Sequence, residues 1–208
     1  MSARREPVWW VSIRVLDAFV RLALRLRVTG LEHLPATGPG IVVANHVSYL
    51  DPVVLVVLAH RRGGRKMRFL GVQEAFERPV TGWFIRAGRH IPVGAASERA
   101  LAIRQARDAL GRGDLVLVYP EGTIPDEPLS TAKGGAGLLA LTSHVPVIPV
   151  ATTGLERRRG GWLRQVRRRR ASVAVGRPVS LDGAAGVTGR RRYEAASDLM
   201  MAAIHDLG

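Results

Sequence analysis

Short apolar runs alternate along the chain with segments of helical periodicity. Apolar runs bounded by turn residues predict buried strands at 41–44, 115–119 and 145–152. Further strands are predicted at 68–72, 90–93 and 171–176, and helices at 52–60, 97–110, 133–143 and 190–207. This alternation predicts a single α/β domain in which helices flank a mixed, largely parallel sheet.

The N-terminal segment Val8–Val28 repeats its charged residues at helical spacing. One polar stripe is formed by Arg14, Asp17, Arg21 and Arg25. Apolar residues fill the remaining surface, so the pattern predicts an amphipathic helix. A membrane-spanning helix needs about 20 mostly apolar residues, and the repeated charges argue against one.

Two interpretations of this N-terminal helix stay open. It either lies in a membrane interface, with Trp9 and Trp10 at headgroup depth, or packs on the protein's own core. Both also hold together if different faces of the helix serve the two contacts. We therefore divide the chain into a membrane-associating helical segment, residues 1–30, and a main domain, residues 31–208.

Charge narrows the class of partner. The 208 residues carry a formal net charge of +14 and include no cysteine, which excludes disulfides, a thiolate nucleophile and a thiolate metal site. The positive charge favours anionic lipid, a phosphorylated substrate or nucleic acid. Only 5% of the residues are aromatic and no basic-aromatic motif occurs, so nucleic acid is the least favoured of these partners.

The stretch 41–52 (IVVANHVSYLDP) joins a predicted strand to a predicted helix. Its apolar residues lead into Asn45 and His46, and Asp51 and Pro52 suit the N-cap and the first position of a helix. His46 and Asp51 therefore lie at the two ends of one loop. That loop follows the carboxyl end of a strand, where open α/β sheets place their sites.

A His-x-x-x-x-Asp pair suits general-base chemistry. Histidine is the usual base near neutral pH, and a carboxylate on its other ring nitrogen fixes the tautomer and stabilises the imidazolium. A substrate hydroxyl would then be the nucleophile. The alternative is that Asp51 only caps the helix and His46 is an ordinary loop residue, and this alternative is favoured when the pair stands alone.

Four stretches, in this order, resemble the blocks of the glycerolipid acyltransferase family, in its lysophosphatidic acid acyltransferase group. They are 45–51 (NHVSYLD), 79–93 (PVTGWFIRAGRHIPV), 118–123 (VYPEGT) and 145–150 (VPVIPV). Lys133 also begins a Lys-Gly-Gly-Ala step where the family has Lys-x-Gly-Ala. Each block is weak by itself, but four blocks in order make the resemblance specific.

The resemblance implies the family's α/β fold and its chemistry. His46 would take the proton of a lysolipid hydroxyl, Asp51 would orient His46, and the hydroxyl would attack the thioester of acyl-CoA or acyl carrier protein. Backbone N–H groups around Gly122 are expected to hold the oxyanion, and Glu121 to bind the acceptor or hold its loop. No cofactor or metal is required. The other expected substrate contacts are Asn45, Ser48, Gly82, Arg86, Arg89, Thr123 and Lys133.

Two positions depart from the family pattern. The family's third block continues with an arginine where this chain has Ile124, and a lysine of its second block falls at Val72. Both cations are associated with the acceptor phosphate. Either Arg86, Arg89 or Lys133 replaces them, or the acceptor is another lysolipid. A charge-assisted contact is worth roughly 1.5–3 kcal/mol, so two uncompensated losses would matter.

The resemblance thus implies O-acyl transfer to 1-acyl-sn-glycerol-3-phosphate, which makes phosphatidic acid in phospholipid biosynthesis. The expected location is peripheral, on the cytoplasmic face of the cell membrane, with an anionic lipid surface as partner. One alternative is the same transfer onto a lyso-aminolipid or a remodelled lysophospholipid. The alternative from another class is a non-catalytic basic protein that binds membrane or nucleic acid.

Overall fold

The structure is a computed structural model, which describes residues 7–72, 82, 85–94, 98–122, 134–156 and 169–208. Its strands are β1 (Leu24–Thr29), β2 (Gly40–Ala44), β3 (Met67–Val72), β4 (Ile91–Val93), β5 (Leu115–Val118), β6 (Val147–Thr153) and β7 (Arg169–Val175). Its helices are α1 (Pro7–Ala23), α2 (Asp51–Arg61), α3 (Arg99–Gly111), α4 (Gly134–Ser143) and α5 (Arg190–His205). Short 3-10 turns lie at Leu31–His33 and Asp182–Ala184.

The described strands form one sheet in the order β1-β7-β6-β2-β5-β3-β4. Neighbouring strands are parallel except β6 and β7, which pair antiparallel. β1 and β7 therefore run opposite to the other five. The carboxyl ends of β2, β5 and β6 consequently share one edge of the sheet with the amino ends of β1 and β7. We call this edge the catalytic edge.

Helices cover both faces of the central strands. α1 and α2 pack on one face, where Val42, Leu117 and Ile148 are buried. α3, α4 and α5 pack on the other face, against Val43 and Val116. Successive strand residues point to opposite faces, so a strand covered on both sides is apolar throughout. This explains the short continuous apolar runs, and the predicted mixed, largely parallel sheet is confirmed.

The prediction for the N-terminal segment is partly wrong. The helix ends at Ala23, and residues 24–29 form the edge strand β1, paired with β7 from Leu24↔Arg169 to Thr29↔Ala174. Leu24 is buried on the α1 side of the core, and Leu26 and Val28 are partly buried against it. This alternation is a strand pattern that the preceding helical periodicity concealed. Residues 24–29 therefore belong to the main sheet rather than to a separate helical segment.

α1 uses one face for the protein core. Its buried side chains include Trp9, Ile13 and Val20, and Asp17 holds it to α2 through Arg61 at 2.6 Å. The interpretation that this helix packs on the core is therefore confirmed. Among the described residues, no helix is long and apolar enough to cross a membrane.

Candidate active site

The loop between β2 and α2 brings His46 and Asp51 together. His46 Nδ1 lies 3.1 Å from Asp51 Oδ2. The same carboxylate oxygen accepts the backbone N–H groups of Val47 and Ser48, both at 2.7 Å. The loop thus folds around one buried carboxylate, which fixes the imidazole in relation to the backbone.

The sequence position of Asp51 predicted that it is the N-cap of α2, and this prediction is wrong. The helix begins at Asp51 itself, and Leu50 occupies the cap position without a side-chain cap bond. The Asp51 carboxylate turns back toward the preceding loop, where it accepts its three hydrogen bonds. This geometry favours the general-base interpretation over simple helix capping.

The electrostatics of the pair define its tautomer. The Asp51 side chain is completely buried, and this burial raises the pKa of its carboxyl, while hydrogen bonds from His46, Ser48 and Val47 oppose the shift. An ionised carboxylate only accepts hydrogen bonds, so Nδ1 of His46 is the protonated nitrogen. Nε2 is then the basic nitrogen that is left for a substrate proton.

Tyr119 is a site residue that sequence reasoning missed. Its ring stacks on the His46 imidazole, with the centroids 4.0 Å apart and the planes at 18°. Tyr119 is buried, and burial raises the pKa of its phenol well above its ordinary value. The sequence did contain a signal for this role, because Tyr119 directly precedes the Pro-Glu-Gly-Thr block. Stacking holds the plane of the imidazole, while Asp51 holds its Nδ1 edge.

Glu121 joins the site from the end of β5. It is 3% exposed, and its carboxylate accepts a hydrogen bond from the backbone N–H of His46. Burial raises the pKa of the Glu121 carboxyl. The structure therefore supports the expectation that Glu121 faces the same cleft and holds its loop.

Three buried oxygens around His46 make no hydrogen bond with a described residue. They are Asp51 Oδ1, Tyr119 Oη and Glu121 Oε2. Buried polar atoms are nearly always paired, so unpaired ones indicate a place for water or substrate. Their concentration around one imidazole marks this cleft as the candidate active site.

Two predicted substrate contacts are engaged within the protein instead. Asn45 bridges β2 to β6, because its amide donates to the Thr152 carbonyl at 2.9 Å and accepts the Thr152 N–H at 2.7 Å. Ser48 is buried, and its hydroxyl accepts the Leu50 N–H at 3.2 Å. These bonds show that both residues hold the shape of the loop and its connection to β6.

Of the backbone N–H groups expected to hold the oxyanion around Gly122, that of Gly122 itself is engaged within the protein. The Gly122 N–H donates to the Tyr119 carbonyl at 2.9 Å, which closes a tight turn after β5. Gly122 has a φ of 77°, a conformation that favours glycine. Its N–H is therefore committed to the turn. The neighbouring Thr123, Ile124 and the predicted contact Lys133 lie outside the described residues.

The turn that contains Arg86 and Arg89 lies on the β3–β4 side of the sheet, away from the His46–Asp51 pair. Arg68 donates to the Arg89 carbonyl at 3.0 Å, and the strand register sets Arg89 level with the start of β3. Arg86 lies in the same turn, since its carbonyl accepts the Arg89 N–H. Three strand spacings of ~4.8 Å and five residues of ~3.3 Å separate Arg89 from His46, roughly 20 Å in all. The expectation that these arginines replace the missing phosphate contacts remains a prediction.

Gly82 and the expected absence of a metal are the remaining predictions for the site. Gly82 is a buried helical residue shortly before Ile85, which packs on the α1 side of the core. Within the described ranges, no three His, Asp or Glu side chains are arranged to hold a metal ion. The expectation that no metal takes part remains a prediction.

Comparison with known proteins now identifies the family. The family model described as Acyltransferase matches residues 25–153, which include β1, the His46 loop and Glu121. The chain belongs to the acyltransferase family. Its resemblance to the glycerolipid acyltransferases, inferred from four sequence blocks, is thereby confirmed.

Curated acyltransferase relatives share less than a third of their residues with the chain. The chloroplastic 1-acyl-sn-glycerol-3-phosphate acyltransferase of Arabidopsis thaliana is 28% identical over 149 residues, covering 70% of this chain and 39% of that protein. The 1-acyl-sn-glycerol-3-phosphate acyltransferase of Streptococcus pneumoniae is 28% identical over 142 residues, covering 68% of this chain and 50% of that one. The chain thus spans half or less of the length of these relatives.

A solved structure shares the acyltransferase fold. The crystal structure of the 1-acyl-sn-glycerophosphate acyltransferase PlsC from Thermotoga maritima matches with a TM-score of 0.69. The match covers 100% of this chain and 83% of that one, at 24% identity. At this identity the likeness establishes the fold alone.

Proposed function

We propose that the protein transfers an acyl chain from an acyl thioester to the free hydroxyl of 1-acyl-sn-glycerol-3-phosphate, which forms phosphatidic acid. The observation that carries this proposal is the His46–Asp51 pair, with Nδ1 bonded to a buried carboxylate at 3.1 Å and Nε2 left as the base. The names of the relatives as 1-acyl-sn-glycerol-3-phosphate acyltransferases support the choice of acceptor.

The proposed reaction is a direct transfer. Nε2 of His46 takes the proton of the acceptor hydroxyl while the hydroxyl oxygen attacks the thioester carbonyl. The tetrahedral intermediate collapses with cleavage of the carbon–sulfur bond, and the imidazolium returns its proton to the leaving thiolate. The charge of Asp51 stabilises the imidazolium between these two steps. No acyl-enzyme forms.

The acceptor class is tested by thiol release from palmitoyl-CoA in mixed micelles. Release is expected with lysophosphatidic acid and not without an acceptor. A panel of lyso-aminolipids and other lysophospholipids tests the alternative that Val72 and Ile124 raise, since these positions lack the family's cations. Release only with another lysolipid would keep the chemistry and change the acceptor. Failure with every acceptor, with acyl carrier protein as well as CoA donors, would favour the non-catalytic alternative.

We also propose that α1 attaches the protein to a membrane. Its outward face carries Val11, Val15 and Leu22, which are 61%, 52% and 76% exposed, with the exposed Ala18 between them. Their spacing of three or four residues makes one apolar stripe along the helix. Exposed Arg14 and Arg21 lie beside the stripe, as expected for a helix in an anionic interface. The cytoplasmic face is proposed because the thioester donor is available there.

Substitution within the stripe should weaken membrane binding. Val15→Asp/Leu22→Asp is expected to lower the fraction of protein that sediments with phosphatidylglycerol vesicles by about tenfold or more, because each change replaces inserted apolar surface with a charge. The matched control is Leu101→Asp, since Leu101 is 53% exposed on α3. Equal sedimentation of all three proteins, each with a native circular dichroism spectrum, would refute the α1 attachment.

A further inference from the structure

Strands β1 and β7, at one side of the sheet, carry three exposed arginines on the same face. Arg25 lies directly opposite Arg170 in the β1–β7 register, and Arg27 lies opposite Ser172. All three arginine side chains are exposed, whereas Leu24 and Arg169, the neighbouring cross-strand pair, are buried on the other face. We call the surface formed by Arg25, Arg27 and Arg170 the arginine face.

Nothing in the described part of the chain neutralises the arginine face. Its three arginines make no hydrogen bond or ion pair with a described residue. The carboxylate that follows β6, Glu156, is instead bonded to the Gly154 N–H and lies 4.0 Å from Arg169. Like charges directly opposite on adjacent strands destabilise a sheet. An arrangement of this kind is stabilised when an anion bridges the two guanidinium groups.

Hydroxyl donors border the same surface. Thr153 of β6 is level with Ser172, and their hydroxyl oxygens lie 2.6 Å apart. One of these hydroxyls donates to the other, which leaves the second proton for an outside acceptor. Guanidinium groups beside hydroxyls form the donor set that suits phosphate oxygens.

The arginine face looks away from the apolar stripe of α1. α1 packs on the side of the sheet where Leu24, Ala171 and Val173 are buried. The side chains of Arg25 and Arg170 alternate with these residues and project from the opposite side. If the α1 stripe lies against a bilayer, the arginine face is directed toward water. Its partner is then a soluble anion rather than the lipid surface.

The arginine face also lies at the catalytic edge. Arg25 and Arg170 stand near the amino ends of β1 and β7, which share this edge with the carboxyl end of β2 and the His46 loop. Two to three strand spacings, ~10–14 Å, separate them from β2 across the sheet. This separation suits a donor whose reacting thioester and phosphate groups are joined by an extended arm.

We propose that the arginine face binds the phosphate groups of a coenzyme A-type acyl donor while its thioester lies beside His46. The inference rests on the proposed acyl transfer and adds a donor site to it. It favours a donor with several phosphates, because three arginines are grouped within two adjacent strands. Phosphate contacts of this kind strengthen donor binding and leave the bond-breaking step to the His46 cleft.

The test compares a thioester that carries the 3′-phosphoadenosine diphosphate group of coenzyme A with one that lacks this group. For each variant, kcat/KM is measured with palmitoyl-CoA and with S-palmitoyl-pantetheine. The kcat/KM with palmitoyl-CoA, divided by that with S-palmitoyl-pantetheine, is expected to fall by about tenfold or more in Arg25→Glu/Arg170→Glu. The reason is that charge-assisted contacts are lost from palmitoyl-CoA alone. Calorimetry with adenosine 3′,5′-bisphosphate should show binding to the wild type and none to this variant.

A matched control has the same charge change at the other end of the sheet. Arg104→Glu/Arg107→Glu alters two exposed arginines of α3, which lies over β3, β4 and β5, and should leave the ratio as in the wild type. An unchanged ratio in Arg25→Glu/Arg170→Glu would overturn the proposal. Loss of vesicle binding in that variant would assign the face to lipid headgroups, and no change in either assay would assign it to solvent. If the wild type transfers from neither thioester, the proposed function fails, and the calorimetry still decides the phosphate site.

A single substitution separates this role from a structural one. Arg170→Glu converts the Arg25–Arg170 pair into an ion pair, so it should raise the melting temperature or leave it unchanged while it lowers the palmitoyl-CoA ratio. Substitution of a residue that serves folding alone would lower the melting temperature and the activity of the protein together. A lower melting temperature with an unaltered ratio would therefore contradict the proposal.

Discussion

Replacement of His46 by alanine is expected to lower kcat for thiol release by about 10²–10⁴-fold, the usual contribution of a general base. The expectation follows from the site, where the bond to Asp51 leaves Nε2 of His46 as the basic nitrogen. The measurement is the initial rate of thiol release from palmitoyl-CoA with lysophosphatidic acid. KM for the acceptor should change much less than kcat, because the proton transfer occurs in the transition state.

A control variant should show that removal of a histidine elsewhere in the protein does not lower kcat. His205 is exposed near the end of α5, and His205→Ala should retain wild-type kcat. Thermal denaturation of both variants checks that each is folded. A His46→Ala protein that is folded and retains more than about a tenth of wild-type kcat would exclude His46 as the base.

Replacement of Asp51 by asparagine should produce the second large effect, a fall in kcat of about 10²–10⁴-fold. An amide oxygen in place of Oδ2 still accepts the N–H groups of Val47, Ser48 and His46, so the loop keeps its shape. The negative charge that stabilises the imidazolium is lost. Kinetics with the lysophosphatidic acid assay measure the effect, and His46→Ala/Asp51→Asn should be little slower than His46→Ala, because the two residues act as a unit.

Stability should respond to Asp51→Asn in the opposite direction from activity. Burial raises the carboxyl pKa above its ordinary value of 3.8, so the folded state holds the Asp51 proton more tightly than the unfolded state. The contribution of this group to stability is therefore present at low pH and falls as the pH rises through the window above 3.8. At pH 7 asparagine removes a desolvated charge, and the melting temperature should equal or exceed that of the wild type.

Asp51→Ala provides the contrast in the same thermal experiment. Alanine leaves the Val47 and Ser48 N–H groups without their acceptor, and each unsatisfied buried donor costs about 1–3 kcal/mol. The melting temperature should therefore fall. Equal loss of stability in the asparagine and alanine variants would show that the charge itself, rather than the accepting oxygen, supports the loop.

Local pattern was enough to predict where strands β2 to β7 lie along the chain, and the central pair of the site. Buried strands are apolar on both faces, and helices have their own period, so β2, β5, β6 and the helices between them were readable within a few residues. His46 and Asp51 were readable because they lie within one short loop. Glu121 was readable because it follows another strand that ends at the same edge.

Tertiary structure decided what depends on contacts between distant segments. Residues 24–29 joined the sheet because β7, far along the chain, offered a partner. Their alternating pattern was concealed by the helical periodicity that precedes it. The Asn45 amide was taken by Thr152, and the Arg86–Arg89 turn was placed near the start of β3 by the Arg68 network. Sequence alone determined the buried strands, the helices and the His46–Asp51 loop, since neighbouring residues dictate these features. The fold determined which residues surround that loop and which face carries Arg25 and Arg170, because sheet register and packing bring remote residues together.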